Sequence, residues 1–235
     1  MRLVIFSDVH GNKYSFQTFI EHLKMIEYDE VIFCGDVFGY YYYTDEIVRY
    51  MMENQFVCLL GNHDKMLLDV IDNKYSLEKK ERLCLQYGSV YKDPKANLSE
   101  NVIDYLRSLK PKLTIQDTKI KIGFFHGTPD NPLEGRLYPD TVIYASEQYT
   151  KFDYVFLGHT HHKMIRQIDN TKVFNPGSLG QQRDGKGCSY MLFDTKTREC
   201  TINIVEYNRS LLVKDIGLFD DGNEKLVEVL FRDRR

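Results

Sequence analysis

Most of the seven histidines of this chain stand in short polar turns directly after runs of apolar residues. His10 follows RLVIFS, His126 follows IKIGFF and His159 follows DYVFLG. Apolar runs of about four to eight residues bounded by Gly, Asn or Asp predict buried β-strands. In an open α/β sheet, reactive side chains collect beyond the carboxyl ends of the strands. The pattern predicts that eight nitrogen and oxygen donors reach one edge of the fold: Asp8, His10, Asp36, Asn62, His63, His126, His159 and His161.

The first half of the chain alternates strand and helix patterns. RLVIFS, EVIFC and FVCLL read as strands, and they are separated by helical periodicity over residues 14–27 and about 44–54. This βαβαβ order predicts a parallel sheet with right-handed crossovers. Residues 64–110 carry further helical periodicity, which ends at Pro111.

From Leu113 onward the pattern changes to β-hairpins. The predicted turns are Asp117-Thr118, Asp169–Thr171 and a segment near residues 195–198, each flanked by alternating apolar residues. Two sheets packed face to face, with helices outside, satisfy both halves of the chain.

The donors at the predicted strand ends are too many for a single metal ion. A divalent ion takes about three to six protein ligands, and a set of imidazole, amide and carboxylate groups without cysteine favours Mn, Fe, Zn, Co or Ni. We therefore expect two ions bridged by one carboxylate, about 3.5–4 Å apart, a spacing that suits in-line displacement at phosphorus. The strong ligand candidates are Asp8, His10, Asp36, Asn62, His126, His159 and His161.

Each of these turns also has a simpler structural interpretation when it is taken alone. A single buried histidine is commonly a hydrogen-bonded core residue, and Gly, Asn and Asp are the residues that tight strand-to-helix turns require. The repetition of His and Asp turns after successive strands favours the metal site.

The motifs, taken in order, resemble those of the calcineurin-like metallophosphoesterases, and they are most similar to the small bacterial and archaeal phosphodiesterase branch. The resemblance implies a four-layer αββα sandwich of two mixed β-sheets flanked by helices. The similarity extends through N-P-G-S-L-G (175–180) to about residue 184. The motifs are D-V-H-G-N (8–12), G-D-V-F-G (35–39), G-N-H-D (61–64), H-G-T (126–128) and G-H-T-H (158–161).

The resemblance also implies a role for each candidate. Hydroxide activated between two ions would attack phosphorus in line, without a covalent phosphoenzyme. His63, which is assigned to no ion, would protonate the leaving oxygen or stabilise charge on the phosphoryl group. The implied ligand sets are Asp8, His10 and His161 for one ion, Asn62, His126 and His159 for the other, and Asp36 as the bridge.

Three further residues are candidates for substrate contact. Tyr40 begins the run Tyr40–Tyr43 after the G-D-V-F-G turn, where a ring would stack on a nucleobase with on the order of 1–3 kcal/mol; the alternative is packing on the core at a helix start. Asn12 would orient a phosphate oxygen or cap the helix that follows. Arg183 would reach a phosphate or form a structural ion pair.

The favoured function is metal-dependent hydrolysis of a phosphodiester or phosphoanhydride bond in a small nucleotide, with manganese as the first metal expected. Two alternatives stay open. The same site could serve a serine/threonine protein phosphatase or a phosphomonoesterase. The fold is also reused as a non-catalytic binding scaffold, as in the retromer subunit, which lacks the histidine that corresponds to His63.

Composition predicts one domain, residues 1–235, with a core to about residue 206 and a helical extension over about 207–235. The net charge of −3 and the dispersed basic residues predict no DNA-binding surface. We find no signal peptide and no apolar run of about 18 residues, which predicts a cytoplasmic protein. Five cysteines without C-x-x-C spacing predict reduced thiols.

Overall fold

Strands and helices alternate through the first half of the chain, as the βαβαβ pattern predicts. The computed structural model describes residues 1–142, 146–185 and 187–232. Two short 3₁₀ helices, Ser89–Tyr91 and Pro94–Ala96, follow the fourth α-helix. The elements of this half are β1 (Arg2–Phe6), α1 (Lys13–Leu23), β2 (Glu30–Phe33), α2 (Thr44–Glu53), β3 (Val57–Cys58), α3 (Asn62–Ile71), α4 (Leu77–Tyr87) and α5 (Glu100–Ser108).

Strands dominate the second half, and two helices end it. The three predicted hairpins are confirmed as antiparallel pairs at the expected turns: β4 with β5, β7 with β8, and β9 with β10. The elements are β4 (Lys112–Asp117), β5 (Ile120–Phe125), β6 (Tyr154–Leu157), β7 (Lys163–Ile168), β8 (Thr171–Pro176), β9 (Cys188–Asp194), β10 (Glu199–Val205), α6 (Arg209–Phe219) and α7 (Glu224–Leu230).

The strands form two mixed five-stranded sheets. The first has the order β10-β9-β1-β2-β3, in which β1, β2 and β3 are parallel and the β9–β10 hairpin runs antiparallel. The second has the order β4-β5-β6-β8-β7, with β5, β6 and β8 parallel. The expected α/β sandwich of two mixed sheets flanked by helices is confirmed.

Alternation along β1 sends neighbouring side chains to opposite faces of the first sheet. Leu3 and Ile5 pack between the sheets in one cluster with Phe124, whereas Val4 and Phe6 pack in a second cluster with residues of the helices. Each fully buried apolar side chain of this size contributes about 1.5–3 kcal/mol. The layer between the sheets therefore fixes how the strand ends of one sheet meet those of the other.

The outer face of the second sheet has a different cover. Leu137 and Tyr149 pack there against Val155 and Val173. Leu137 and Tyr149 come from the segment between β5 and β6, in which the described residues form turns and irregular structure rather than helix.

Two predicted elements are shorter than their sequence patterns. The helix expected over residues 14–27 ends at Leu23, and Met25 in the turn that follows is 85% exposed. The strand expected from FVCLL pairs over Val57–Cys58. Leu59 still donates its backbone N–H to Phe33 before the chain turns into α3.

The predicted C-terminal extension begins just after β10 and contains α6 and α7. Its apolar residues Leu212, Ile216 and Leu226 pack with Tyr40 and Tyr41 in a separate cluster. In the described part of the chain, none of the helices has both the length and the apolar character needed to cross a membrane.

Candidate metal centre

The candidate ligands lie at the carboxyl ends of parallel strands in both sheets. Asp8 and His10 follow β1 and Asp36 follows β2, while His126 and the pair His159 and His161 follow β5 and β6. Asn62 opens α3 directly after the third strand of the first sheet. Because the two sheets pack face to face, their strand ends deliver all seven side chains to one place.

Five of the seven ligand candidates have a left-handed backbone, which is uncommon for residues other than glycine. Their φ angles are 56° at Asp8, 51° at His10, 65° at Asp36, 66° at His159 and 59° at His161. Such conformations persist only where the surrounding structure holds them, and they concentrate at functional sites. The turns thus direct the side chains inward at a conformational cost.

One cluster joins Asp8, His10 and His161, whose ligand atoms all lie within 4.8 Å of one another. His10 Nδ1 is 2.9 Å from the Phe38 carbonyl oxygen, and His161 Nδ1 is 2.6 Å from that of Gln181. A carbonyl oxygen only accepts, so both Nδ1 atoms carry a proton and both neutral rings present a lone pair at Nε2. These two Nε2 atoms face each other at 3.1 Å.

The second cluster joins Asp36, His126 and His159, and Asn62 adds an amide oxygen 2.9 Å from His126 Nε2. His126 donates its Nδ1 proton to the Cys34 carbonyl oxygen at 2.8 Å. The Nε2 atom of His126 therefore points at two oxygen acceptors, one from Asn62 and one from Asp36 at 3.4 Å.

Asp36 lies between the two clusters. Its Oδ2 atom is 3.9 Å from His10 Nε2 in one cluster and 3.4 Å from His126 Nε2 in the other. Its Oδ1 atom accepts the backbone N–H of His63 at 2.7 Å. One carboxylate oxygen is thus directed at both clusters, which is the placement that a bridging ligand needs.

The donor set fits divalent cations. Asp8 Oδ1 is buried and has no hydrogen-bond partner among the described residues, yet it lies 3.2 Å from His161 Nε2 and 3.9 Å from His10 Nε2. A buried carboxylate oxygen that faces imidazole lone pairs is costly without a cation. Imidazole, amide and carboxylate groups are the ligands that first-row transition metals prefer.

The protonation states agree with this reading. Burial lowers the pKa of His10 to about 4 and that of His159 to about 3, so both rings are neutral at pH 7, the form that binds metals. Burial also lowers the pKa of His126, but the charge of Asp36 outweighs it and raises that pKa to about 9. In the metal-free protein a proton therefore balances Asp36.

Asp64 holds the turn that carries Asp36. Its carboxylate accepts the backbone N–H groups of Asp36 at 2.9 Å, Phe38 at 3.0 Å and Gly61 at 2.9 Å. A Cβ atom at Gly61 would lie 2.0 Å from Asp36 Oδ1, so only glycine permits this approach of the two turns. Asp64 and Gly61 together fix the bridging carboxylate.

His63 lies beside the ligands but belongs to neither cluster. Its ring Nδ1 is 2.8 Å from the hydroxyl oxygen of Tyr91, a fully buried residue of the first 3₁₀ helix. No other hydrogen bond to this hydroxyl is present among the described residues. Burial holds the pKa of His63 well below its usual value. A neutral, oriented imidazole therefore stands next to the metal ligands.

A cavity of about 290 Å³ opens over the two clusters. We call the seven ligand candidates the metal floor. We give the name pocket wall to six residues around them that come from loops, from the end of α4 and from the C-terminal segment: Tyr40, Tyr87, Arg136, Arg183, Lys225 and Arg232.

Two of the three predicted substrate contacts line this pocket. The ring of Tyr40 has its centroid 5.0 Å from that of His10 and 5.5 Å from that of His63. Arg183 forms no ion pair among the described residues, and its Nε is buried without a hydrogen-bond partner there. The structural ion pair considered for Arg183 is absent from the described residues, so its charge is available to the pocket.

Asn12, the third predicted substrate contact, is the cap of α1 and not a pocket residue. Its Oδ1 accepts the backbone N–H of Ser15 at 3.2 Å, and its amide donates to the Gly180 carbonyl at 2.9 Å and to the Tyr207 hydroxyl at 2.8 Å. Because this buried side chain caps α1 and already uses its donors within the protein, the capping alternative describes Asn12.

Only Tyr40 of the tyrosine run lines the pocket. Tyr41 is fully buried in the cluster with α6 and α7. Tyr42 donates to Asp220 at 2.7 Å and Tyr43 to Asp215 at 2.9 Å. Tyr40 is itself 6% exposed and packs in the same cluster as Tyr41, so the core-packing alternative describes the whole run. Any stacking surface from this run is reduced to the part of the Tyr40 ring that lines the pocket.

Several residues of the site were not found from the sequence. Asp64 had a signal, since it closes the G-N-H-D motif, but no role was assigned to it. Tyr91, Arg136, Lys225 and Arg232 stand in segments without a recognisable motif. Only the fold brings these four residues to the site.

Comparison with known proteins agrees with the fold. A related protein of Methanocaldococcus jannaschii, described as uncharacterized, is 28% identical over 226 residues, which cover 88% of each chain. The crystal structure of a hypothetical protein from Pyrococcus horikoshii OT3 matches with a TM-score of 0.83 at 17% identity, over 100% of this chain and 99% of that one. A metallophosphoesterase from Sphaerobacter thermophilus matches with a TM-score of 0.71 at 22% identity, over 97% and 99% of the two chains.

The family itself follows from a match that covers most of the chain. The model of the calcineurin-like phosphoesterase superfamily domain matches residues 1–198. This segment contains every residue of the metal floor and both sheets except β10. The chain therefore belongs to the calcineurin-like phosphoesterase superfamily.

Proposed function

We propose that the protein hydrolyses a phosphodiester or phosphoanhydride bond of a small nucleotide and that it depends on two divalent metal ions for this activity. The observation that carries the proposal is the position of Asp36 Oδ2 between two clusters of buried ligands, at the floor of a pocket with arginines in its wall. Ions bound there supply hydroxide at neutral pH and charge stabilisation at phosphorus. Manganese is the first metal to test, since the ligand set is mixed oxygen and nitrogen.

In this proposal, Arg136 and Arg183 bind the phosphoryl group. Arg136 Nε lies 2.9 Å from His159 Nε2, and the Arg183 backbone N–H donates to His161 at 3.2 Å, so both residues stand next to the metal floor. A guanidinium beside a phosphate forms charge-assisted hydrogen bonds, which are stronger than neutral ones. Their positive charge balances the charge that develops on the phosphoryl oxygens.

His63 acts on the leaving oxygen or on a phosphoryl oxygen, and Tyr91 positions it. When the Tyr91 hydroxyl donates to Nδ1, the proton of the neutral ring stays on Nε2. His63 Nε2 then offers an N–H donor to a bound ester without first taking up a proton. Tyr91 would act on His63 as the hydrogen-bond partners of metal-bound histidines act, by fixing the tautomer and the orientation of the ring.

The size of the pocket supports a small substrate. At about 290 Å³ it lies near the lower limit of ligand pockets, which span about 300–1,000 Å³. The C-terminal helices close one side, so a folded phosphoprotein has less access than a nucleotide. The oriented His63 favours an enzyme over a binding scaffold.

An activity screen tests the proposal. Manganese-loaded protein is offered p-nitrophenyl phosphate, its bis-ester, cyclic nucleotides, dinucleoside polyphosphates and a phosphopeptide. We expect diester or nucleotide turnover that His63→Ala lowers strongly and that His22→Ala, a histidine change on the outer helix α1, leaves in place. If the unaltered protein cleaves no ester faster than the His63→Ala variant does, the hydrolase proposal fails. Faster turnover of phosphopeptides than of nucleotides would overturn the substrate class.

A further inference from the structure

The C-terminal helices are fixed against the pocket rather than attached loosely. Asp215 of α6 accepts hydrogen bonds from the hydroxyls of Tyr14 at 2.7 Å and Tyr43 at 2.9 Å. Asp220 at the end of α6 accepts from the Tyr42 hydroxyl at 2.7 Å and, through its other oxygen, from the Ser89 backbone at 2.9 Å. The helix pair therefore has a defined position beside the turn that follows β2.

This position brings two positive charges to the pocket. Lys225 of α7 and Arg232 just after it line the cavity together with Val229. Lys225 forms no ion pair with any residue that the structure describes. Arg232 pairs with Glu228 at 3.3 Å, but Glu228 is 70% exposed, and such exposed pairs contribute little. Both charges therefore remain available to a ligand.

The charge of the pocket is unbalanced. Four cationic side chains line it, and the one acidic side chain among its lining residues, Asp36, is directed at the metal clusters. Arg136 and Arg183 contact the metal floor, as described above. Lys225 and Arg232 approach from a different part of the chain, the C-terminal extension.

We infer that Lys225 and Arg232 form a second anion subsite, which selects substrates that carry a further phosphate beside the scissile one. The inference rests on the proposed function, and it narrows the substrate class to nucleotides with a phosphoanhydride chain. A single phosphate at the floor is already balanced by metal ions, Arg136 and Arg183. The two additional cations require an anion of their own, and the pocket volume suits a short phosphate chain.

A pair of nucleotides that differ by one phosphate tests the subsite. Binding of AMP and of α,β-methylene-ADP, which resists hydrolysis, is measured by calorimetry with manganese-loaded protein. The variants are Lys225→Ala, Arg232→Ala and the double variant. Lys214→Ala is the matched control, because it removes an exposed lysine of α6 that does not line the pocket.

We expect each single variant to raise the Kd of α,β-methylene-ADP by about tenfold, and the double variant by on the order of 100-fold. The Kd of AMP should change much less, and Lys214→Ala should change neither. Equal effects on both ligands, or none on α,β-methylene-ADP, would overturn the subsite.

The hydrolysis of two esters separates this inference from the proposed function. The double variant should lower kcat/KM for a dinucleoside polyphosphate by a larger factor than kcat/KM for bis-p-nitrophenyl phosphate, because the second ester has a single phosphorus. If the unaltered protein cleaves both esters and the double variant loses rate equally on both, the subsite alone is wrong. If the unaltered protein cleaves no ester but binds α,β-methylene-ADP through Lys225 and Arg232, the proposed function fails and the subsite stands.

Discussion

The metal floor and the pocket wall meet at the same cavity, which four of the seven floor residues line, but they are built from different parts of the fold. Every residue of the floor follows a strand or opens α3, and the two packed sheets hold it from both sides. The wall comes from loops, from the end of α4 and from the C-terminal segment. Hydrogen bonds from tyrosines and from Ser89, together with one apolar cluster, hold α6 and α7 to the rest of the chain. This difference indicates that the floor determines the chemistry and the wall determines the substrate. Changes in the floor should alter rate and metal content, whereas changes in the wall should alter KM.

The largest effect is expected in the floor, at the carboxylate between the two clusters. Asp36→Asn keeps the size of the side chain but removes the charge that both ions would share. Metal occupancy should fall at both positions. Loss of one preorganised stabilising group lowers kcat by roughly 10²–10³-fold, and we expect a larger decrease here. Asp104→Asn, on the exposed face of α5, is the matched control. Full occupancy of one ion in Asp36→Asn would show that Asp36 is not shared.

His63 should separate chemistry from metal binding within the same region. His63→Ala should lower kcat by roughly 10²–10⁴-fold with metal content nearly unchanged, while His159→Ala should lose metal as well as rate. Near-full turnover of His63→Ala on an ester with a poor leaving group would remove its catalytic role.

Tyr91→Phe is a milder test of the same histidine. It keeps the buried ring but removes the hydroxyl, and we expect a loss of about 10-fold in kcat with an altered pH profile and little change in KM. A change in stability without any change in the pH profile would reduce Tyr91 to a packing role.

Metal uptake should depend on pH because protons compete with the ions for the floor. The pKa of His126 is raised to about 9, so below that pH binding of an ion must displace the proton. Burial also raises the pKa of Asp8, which acts in the same direction at lower pH. The affinity should therefore rise with pH by up to about tenfold per unit below pH 9. Calorimetry in buffers of different ionisation enthalpy measures the released protons, and a pH-independent affinity with no proton release would contradict this assignment.

A smaller effect is expected in the wall, where Tyr40 and Tyr41 provide an internal comparison. Tyr40→Ala should raise KM for a nucleotide by roughly 5- to 100-fold through lost stacking, with less change for bis-p-nitrophenyl phosphate. Tyr41→Ala should instead lower the free energy of unfolding by about 3–5 kcal/mol, because the ring is fully buried under α6 and α7. Equal KM effects of Tyr40→Ala on both esters would assign Tyr40 a structural role as well.

The contrast between floor and wall also explains what could be predicted from the sequence. The floor residues stand next to the strands that position them, so apolar runs and polar turns in the sequence locate them. The hairpins at Asp117-Thr118 and Asp169–Thr171 were predictable for the same local reason. The wall residues Lys225 and Arg232 reach the pocket through the packing of α6 and α7 on Tyr41 and through the hydrogen bonds that hold Asp215 and Asp220.

The sequence pattern could not decide between two roles for a residue when both suited its position. Asn12 precedes a helix and follows a ligand turn, so capping and phosphate binding both suited its position. The hydrogen bonds to Gly180 and Tyr207, both distant in sequence, decide the question. The left-handed backbone at five floor residues likewise depends on contacts between turns, such as the hydrogen bond from His10 to Asp36, and not on a sequence signal.

Metal content measured together with activity tests the central claim most directly. Protein prepared without chelator is analysed for bound transition metals, and turnover is then followed as chelator is added and manganese is restored. The two clusters bridged by Asp36 predict between about one and two equivalents per chain, with activity that is lost in chelator and recovered with metal. A content well below one equivalent, with activity intact in excess chelator, would contradict the dinuclear site.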